Sequence, residues 1–588
     1  MNKRFEKAAR NHREGRLKEA EKGYLAVLKA NPGHGDAHFR LGMMYASNKR
    51  LVKAARHLKA AVKALPDLAD GWYNLGVVHY MAGELADAET ALRRTVALNP
   101  EAIHAWGNLG VVLDQQQRYA EAAEVLAEAL EKKPDAVEVR VNLANVLKRR
   151  GRFKEAEEHY GKALSIRPGN DLAASNYLFL SLYDPEQSAE GIFARHRDWG
   201  IRRVAGRPAP PQFENTPDPE RTLKVGYLSP DFRRHPVAAF LTPVFPHHDP
   251  SAVEAFCYAN VAKPDQVTAT LKAAVPHWRD VQGLPPTEIA TRIRADDIDI
   301  LVDLAGHTAG NQAAVLAEKP APVQVTYLGY PASTGLPTVD WRITDPVADP
   351  AGNERFHVER LARIEGGFSC FAPSPEAPPI GPPPSTSNGF ITFGSLMNTI
   401  KINDRVIALW ARVLAALPGA RLSLCRKTFD SDVERERYLA AFESHGIERE
   451  RVSCFAKVGS SDREFLDTYN TIDISLDTFP YAGHTTSCEA LWMGVPIVTL
   501  NGEHFHQRVG ASLLTTLGLT DLIADTQDQF VGIAVGLATD PARLAEMRAG
   551  MRKRMQDSPL LDGEGFTRKL EAAYRDMWRD WCERQAAS

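Results

Sequence analysis

The sequence lacks several features that would assign it to a common class. Its 71 basic and 74 acidic residues nearly cancel, so no overall charge favours nucleic acid or an anionic membrane as partner. Six cysteines are scattered without a C-x-x-C, which argues against a disulfide framework or zinc cluster and favours reduced thiols. No signal peptide and no uninterrupted apolar run long enough to span a membrane is apparent. We therefore expect a soluble cytoplasmic protein without a nucleic-acid or membrane partner.

Motifs for common cofactors are also absent. No G-x-G-x-x-G follows a predicted strand, which argues against a dehydrogenase, and no G-x-x-x-x-G-K-[ST] indicates a P-loop NTPase. DID at 297–299 and DSD at 430–432 resemble the D-x-D of metal-dependent transferases, but one abuts a predicted strand and the other lies in a charged loop. His504 and His506 form a pair without an evident third ligand. We expect no cofactor and no metal site.

The first third of the chain repeats with a period of 34 residues. Proline marks the period, small residues follow the same step, and W-x-x-L-G begins at Trp72 and Trp106. The two columns are Pro32, Pro66, Pro100, Pro134, Pro168 and Ala20, Ala54, Ala88, Ala122, Ala156. This is the tetratricopeptide signature, in which small residues let two helices pack closely and proline ends the second. We predict five repeats over 1–170 and a partial repeat or capping helices over 171–206.

From residue 223 onward, short β-branched or aromatic runs alternate with helical stretches, which is typical of parallel sheets covered by helices. Proline-rich segments predict a linker at 207–222 and a connection at 371–388, between Rossmann-like halves at 223–370 and 389–588. The predicted strands are LKVGYLS, EAFCYAN, DIDILVDLAG, PVQVTYLGYP, FITFGS, ARLSLCRK, RVSCFAKV, DISLDT and PIVTLNG. The expected fold is multidomain: an all-α tetratricopeptide superhelix, then an α/β region of two Rossmann-like domains, the GT-B architecture of nucleotide-sugar transferases.

The string DISLDTFPYAGHTT places a loop directly after a predicted strand and a threonine pair at the start of a predicted helix. Ligands of open parallel sheets bind outside the carboxyl ends of strands, where helix N-termini attract anions. A diphosphate is one interpretation, and a simple capping box at Thr486-x-x-Glu489 is the other. The two are compatible, and we expect the box to cap the helix and aim its first N–H groups at a ligand.

Seven strings behind the repeats carry a family resemblance. They are GYLSPDFRRHP, DILVDLAGHT, APVQVTYLGYP, GLPTVDWRITD, SNGFITFGS, DISLDTFPYAGHTT and CEALWMGVPIVT. Together they resemble the protein O-glycosyltransferase family, which includes animal O-GlcNAc transferase and the plant SPINDLY proteins. The resemblance extends from the repeats to about Trp578 and is closer to the SPINDLY branch. It implies inverting, metal-independent transfer of a sugar from a nucleotide diphosphate to a Ser or Thr hydroxyl of a protein.

The resemblance also implies a set of donor-binding residues. Lys401 in MNTIKIND matches the lysine that contacts the diphosphate, although alone it would be a solvated lysine at a loop–helix junction. Phe465 falls at the position where the animal enzyme stacks a histidine on the nucleobase, so the identity of the nucleobase, and hence of the donor, stays open. The other donor-binding positions are Asn398, the phosphate-binding turn Gly483, His484, Thr485 and Thr486, and Glu489, which matches an acidic residue that holds the ribose.

Catalytic roles are implied for His235, Asp303 and Lys401. His235 in RRHP matches the family histidine that faces sugar and acceptor, as base or organiser, although a lone histidine before proline also begins helices. Asp303 is a second candidate for proton acceptance, or it satisfies a nearby backbone group; His307 is expected to support sugar binding. Lys401 is expected to stabilise the leaving phosphate.

The functional hypothesis is a protein O-glycosyltransferase that uses UDP-GlcNAc or GDP-fucose. Its acceptor proteins are expected to bind along the concave surface of the repeats, and a homodimer through the repeats is a further expectation. The competing hypothesis is an inactive scaffold that keeps both folds for protein binding alone.

Overall fold

The computed structural model describes residues 2–208, 212–456 and 461–587. The chain divides into two compact units, at 1–173 and 174–588. The first unit is a run of antiparallel helix pairs at the predicted period. Its helices are α1 (Asn2–Arg13), α2 (Leu17–Ala30), α3 (Gly35–Ser47), α4 (Leu51–Ala64), α5 (Ala69–Ala82), α6 (Leu85–Leu98), α7 (Ile103–Gln115), α8 (Tyr119–Lys132), α9 (Val137–Arg149) and α10 (Phe153–Ile166).

The small-residue columns explain how each pair packs. A β-carbon on Gly42 would lie 2.7 Å from Leu58 Cγ, and one on Gly76 would lie 2.8 Å from Leu92 Cγ, so only glycine fits without displacing the leucine. The indole N–H of Trp72 donates to the carbonyl of Pro66 and that of Trp106 to the carbonyl of Pro100, each at 2.9 Å, which ties these two repeats to the proline before them. The structure confirms the predicted tetratricopeptide fold.

Two further helices, α11 (Asp171–Leu180) and α12 (Ala189–Val204), precede a seven-stranded parallel sheet. Its order is β3-β2-β1-β4-β5-β6-β7, and β1 and β4 pair in register at Val225 and Ile300. The strands are β1 (Leu223–Ser229), β2 (Val253–Ala259), β3 (His277–Asp280), β4 (Ile300–Asp303), β5 (Val323–Thr326), β6 (Trp341–Thr344) and β7 (Arg360–Arg363). Helices α13 (Pro236–Leu241), α14 (Gln266–Ala273), α15 (Pro286–Ala295) and α16 (Ala313–Leu316) connect them.

The second parallel sheet has six strands in the order β10-β9-β8-β11-β12-β13. Both sheets therefore contain the strand order 3-2-1-4-5-6 of doubly wound nucleotide-binding folds. The strands are β8 (Thr392–Ser395), β9 (Arg421–Cys425), β10 (Val452–Phe455), β11 (Ile474–Leu476), β12 (Ile497–Leu500) and β13 (Ile523–Ala524). The helices are α17 (Ser385–Asn388), α18 (Asp404–Ala416), α19 (Asp432–Ser444), α20 (Asp462–Asp467), α21 (Thr485–Trp492), α22 (Phe505–Thr516), α23 (Gln527–Ala538), α24 (Pro541–Gln556) and α25 (Gly563–Ala587).

The last helix belongs to the core of the first sheet. Trp578 of α25 is fully buried and packs in one apolar cluster with Val225 and Tyr227 of β1, while its indole N–H donates to Asp218 O at 2.9 Å. The sequence-based division assigns all of 389–588 to the half with the second sheet, but α25 packs on the first sheet. The reason is chemical: Phe566, Leu570 and Trp578 form an apolar stripe that closes the first core.

Every predicted strand is present, although four strands were not predicted. Strands β3, β6 and β7 are short and rich in polar or charged residues, and β13 has two residues, so none carries a clear apolar run. Residues 209–211 of the predicted linker and 457–458 of the string RVSCFAKV lie outside the described residues.

Candidate active site

Apart from Phe465, which follows the edge strand β10, the predicted site residues follow the carboxyl ends of the two central strands of each sheet. His235 comes after β1, Asp303 ends β4, Lys401 comes after β8, and the segment from Asp477 to Thr485 comes after β11. In each sheet these two strands are neighbours at the point where the strand order reverses. Ligands of doubly wound sheets bind there, because helix N-termini and loops diverge from the two strands.

One cavity of about 460 Å³ brings residues of both halves together. From the sequence-predicted set it is lined by His235, Phe465, Thr485 and Glu489. Pro236 from the first half, Phe371 from the connection and Trp492 from the second half also line it. A larger groove of about 810 Å³ beside α24 contains none of the predicted residues.

His235 is both the start of a helix and a cavity residue. It is the N-cap of α13, and its Nδ1 accepts from the Val237 backbone N–H at 3.3 Å. Burial, followed by the charge of Arg233, lowers the pKa of His235 to about 4, so the ring is neutral at pH 7. Because Nδ1 is an acceptor, the neutral ring carries its proton on Nε2. His235 therefore offers a donor to a ligand, which favours orientation over proton acceptance.

The turn after β11 is held by a buried carboxylate. Asp477 accepts from the backbone N–H groups of Thr478 and Gly483 and from the Thr499 hydroxyl, each at 2.8 Å. Gly483 packs so closely that a β-carbon would overlap Met397 and Ser487. The sequence Asp477 to Gly483 thus fixes where the following helix begins.

That helix is not capped as predicted. Helix α21 begins at Thr485, with His484 at the N-cap, so Thr486 is already the second helical residue and cannot cap the helix. The side chain of His484 makes no capping hydrogen bond with any described residue. The capping box at Thr486-x-x-Glu489 was wrong, because the turn held by Asp477 starts the helix two residues earlier, at Thr485 instead of Ser487. The first N–H groups of α21 remain available to an anion.

His484 joins the two halves. Its ring stacks on Phe240 with centroids 4.1 Å apart, and its Nε2 lies 3.0 Å from the Ser369 hydroxyl. Burial, followed by the charge of Lys401, lowers the pKa of His484 to about 3. A neutral ring in this position supports the turn through stacking and one hydrogen bond.

Lys401 reaches the same turn from the opposite loop. It ends a short 3-10 helix, Thr399–Lys401, whose N-cap is the exposed residue Asn398. Lys401 Nζ donates to Ala482 O at 2.8 Å, directly before Gly483. Burial lowers the pKa of Lys401 to about 7, against the attraction of Asp477. The structure therefore brings Lys401 and the turn into contact.

Asp303 and His307 lie in a buried network rather than in the cavity. Asp303 accepts from Ala305 N–H at 3.2 Å and Gly306 N–H at 2.8 Å, and burial raises its pKa to about 6. His307 Nε2 donates to Thr334 O at 2.8 Å, while its Nδ1 lies 3.3 Å from Ser175 Oγ. This geometry favours the interpretation in which Asp303 accepts hydrogen bonds from nearby backbone N–H groups over the one in which it accepts a proton during the reaction.

Comparison with known proteins decides the family. The sequence model of glycosyl transferase family 41 matches residues 181–370 and 385–570, and a tetratricopeptide repeat model matches 115–177. The chain belongs to glycosyl transferase family 41. The resemblance identified in the sequence is thereby confirmed. The model named cilia and flagella-associated protein 70 C-terminal domain also matches residues 3–127, within the repeats.

This family 41 chain is more similar in sequence to the SPINDLY proteins than to the plant protein named SEC. It is 43% identical over 422 residues to "Probable UDP-N-acetylglucosamine--peptide N-acetylglucosaminyltransferase SPINDLY" of Solanum lycopersicum, covering 71% of this chain and 45% of that protein. The Arabidopsis thaliana protein of the same name is 43% identical over 72% of this chain and 47% of its own length. The Arabidopsis protein named SEC is 28% identical over 62% of this chain and 38% of its own length. The chain spans about half the length of the curated SPINDLY relatives it matches.

A solved structure of an O-GlcNAc transferase supports the architecture. An O-GlcNAc transferase mutant of Thermobaculum terrenum matches with a TM-score of 0.81 and 35% identity, covering 88% of this chain and 98% of that chain. This match and the tetratricopeptide model agree with repeats followed by two parallel sheets. Within the described residues, no helix has the length and apolar character needed to cross a membrane.

Three residues at this family 41 site were missed in the sequence. Asp477 directly follows β11, Arg426 directly follows β9, and Tyr481 lies in the turn itself. The Arg426 guanidinium lies 5.4 Å from the Phe465 ring centroid, and its Nε donates to Met397 O at 3.0 Å, so it bridges Phe465 and the Lys401 loop. A rule that examined every polar residue after a predicted strand would have found Asp477 and Arg426.

The residues considered for metal have other partners. Asp299 of DID is buried and accepts from Lys224 N–H at 2.8 Å and from Asn215 at 2.7 Å. Nδ1 of His504 and Nδ1 of His506 lie 2.9 Å apart. Over the described ranges, the one cluster of three suitable ligand side chains is His79, Glu84 and Asp87 in the repeats, which contains no predicted site residue.

Proposed function

We propose that the protein transfers a sugar from a nucleotide diphosphate to Ser or Thr hydroxyls of proteins. The observation that carries the proposal is convergence: Lys401, Gly483 and the uncapped start of α21 meet at one turn, beside a cavity lined by His235 and Phe465. These residues come from four separate segments of the sequence. The leaving diphosphate gains charge as the sugar departs, and a cation with free N–H groups is what stabilises it.

Each part of the donor has a partner in this arrangement. Lys401 and the first N–H groups of α21 take the diphosphate, Phe465 offers a face for the base, and Glu489 offers an acceptor to the ribose. His235 presents its Nε2–H to the sugar or the acceptor hydroxyl. The transfer would proceed without a metal, because the ammonium and the helix N-terminus supply the positive potential.

The acceptor and its surroundings are part of the same proposal. We infer that acceptor proteins bind along the concave surface of the repeats and that the repeats also support a homodimer. A cytoplasmic location is inferred from the six cysteines, none of which forms a disulfide with another described residue. The relatives are named as transferases, so the comparisons give no support to an inactive scaffold.

Lys401→Ala tests the activity directly. We expect incorporation of labelled sugar into proteins of a cell lysate to fall by about 10²- to 10³-fold, because a preorganised charge on the leaving group is lost. The measurement uses radiolabelled UDP-GlcNAc and GDP-fucose in separate reactions, since both carry the diphosphate and ribose on which the site is argued. Lys553→Ala is the matched control, because Lys553 is an exposed lysine of α24 that pairs with Asp557. Equal transfer by wild type and Lys401→Ala would contradict the assignment of the site.

A further inference from the structure

Lys401 is held by an aromatic ring that the proposed function does not use. Its Nζ lies 3.9 Å from the centroid of Tyr481, while the same ammonium donates to Ala482 O. An ammonium over the face of tyrosine is attracted by the negative face of the ring. The ring and the carbonyl together fix two directions around Nζ, which leaves its remaining N–H groups for a ligand.

Tyr481 is in turn held by the segment that precedes the first sheet. Tyr183 stacks on it with centroids 4.9 Å apart and planes inclined by 11°, and the Phe179 centroid lies 6.2 Å from it. Tyr183 is 8% exposed, and Thr478 Oγ1 donates to Tyr481 O at 2.8 Å. The position of the ring is therefore set on both sides, by stacking and by the turn.

We propose that Tyr481 and Tyr183 are positioning residues that hold the Lys401 ammonium at the diphosphate site. The inference rests on the proposed function, because it needs Lys401 to contact the donor. Through these contacts the segment that contains α11 and Tyr183 takes part in donor binding, although it belongs to neither sheet. A simple core role for these rings would predict lost stability without a specific effect on donor binding.

Substitution of the ring separates the two roles. In Tyr481→Leu, apolar volume remains but the π face is lost, and we expect the Kd for UDP or GDP to rise about tenfold. Tyr481→Phe keeps the face and should bind within about twofold of wild type. Tyr183→Leu should weaken binding less, about threefold, and carries the test if Tyr481→Leu fails to fold. Titration calorimetry gives each Kd, and thermal unfolding gives each Tm.

A matched destabilising variant excludes a general effect. Tyr574 is equally a buried tyrosine, but it lies in the first core with its hydroxyl 3.3 Å from that of Tyr227. Tyr574→Leu should lower Tm and leave the nucleotide Kd unchanged. If Tyr481→Leu binds like wild type, or if Tyr574→Leu is weakened equally, the positioning role is overturned. If the wild type binds neither UDP nor GDP, the proposed function itself fails.

The pH dependence of binding gives a second readout. Loss of the π face removes stabilisation of the charged lysine, so the pH above which affinity falls should move lower in Tyr481→Leu. The charges that act on Lys401 are those of Asp477 and Arg426, while the charge of Lys401 in turn lowers the pKa of His484 and of His506; none of these four groups is changed by the substitution. An unchanged pH profile, with an unchanged Kd, would assign the ring to packing alone.

Discussion

At the scale of the residue, the protonation of Lys401 decides whether the donor site carries a positive charge. Burial, opposed by Asp477, lowers its pKa to about 7, whereas burial keeps His484 and His506 neutral, with pKa values of about 3. The ammonium is present below the folded-state pKa and is lost as pH rises through it. We expect the affinity for a UDP-sugar, whose phosphates do not titrate in this range, to be constant below about pH 6 and to fall about tenfold per pH unit above about pH 7, measured by titration calorimetry.

Proton uptake provides the control for that expectation. A bound diphosphate raises the pKa of the ammonium beside it, so binding above about pH 7 should take up close to one proton, seen as a buffer-dependent enthalpy. Lys401→Arg stays charged throughout and should show no such dependence. A wild-type Kd that is flat between about pH 6 and pH 9 would mean that Lys401 does not touch the donor.

At the scale of the element, the turn between β11 and α21 depends on Asp477. Asp477→Ala leaves two buried N–H groups and one hydroxyl without their acceptor, and we expect it to lower the free energy of unfolding by about 3–5 kcal/mol. Asp477→Asn keeps one carbonyl oxygen and should cost less, about 1–2 kcal/mol. Urea unfolding of each variant, with nucleotide binding of the folded fraction, measures both effects.

Thr526→Ala serves as the comparison for a cap of ordinary strength. Thr526 accepts from Gln529 N–H at 3.2 Å at the start of α23, away from the turn, and its loss should cost about 1 kcal/mol. A cost for Asp477→Ala no greater than this would show that the turn is held by other contacts.

At the scale of the whole molecule, each α/β core contains a fully buried tryptophan. Trp578 of α25 lies in the first core and Trp410 of α18 lies in the second, both fully buried. Trp578→Ala should cost about 3–5 kcal/mol and increase hydrogen exchange in β1 and β2, although the substitution lies far along the chain. Trp410→Ala should instead increase exchange in β8 and β11. Faster exchange of the second sheet alone in Trp578→Ala would contradict the packing of α25.

The sequence predicted most of the fold because its patterns are local. The 34-residue period, marked by residues such as Pro32 and Gly42, reflects packing between helices that are neighbours in the sequence. The strand that ends at Asp303 is predictable because it is a continuous apolar run. The place of α25 depends on contacts far apart in sequence, which no periodicity reports. The same difference between local and long-range information decides which parts of the site could be predicted. Lys401 and Gly483 follow predicted strands, so their place was predictable. The stacking of Tyr183 on Tyr481 joins distant segments, and no pattern in the sequence indicates that they meet.

The packing of α25 on the first sheet also orders events during synthesis. The strands of the first core leave the ribosome long before Gly563 does, at about 5–20 residues per second, so on the order of ten to forty seconds separate them. Until then the face that Trp578 covers is exposed apolar surface, which is where a nascent-chain chaperone binds. A stop codon before α25 would therefore destabilise the first core, although all of its strands would already have been translated.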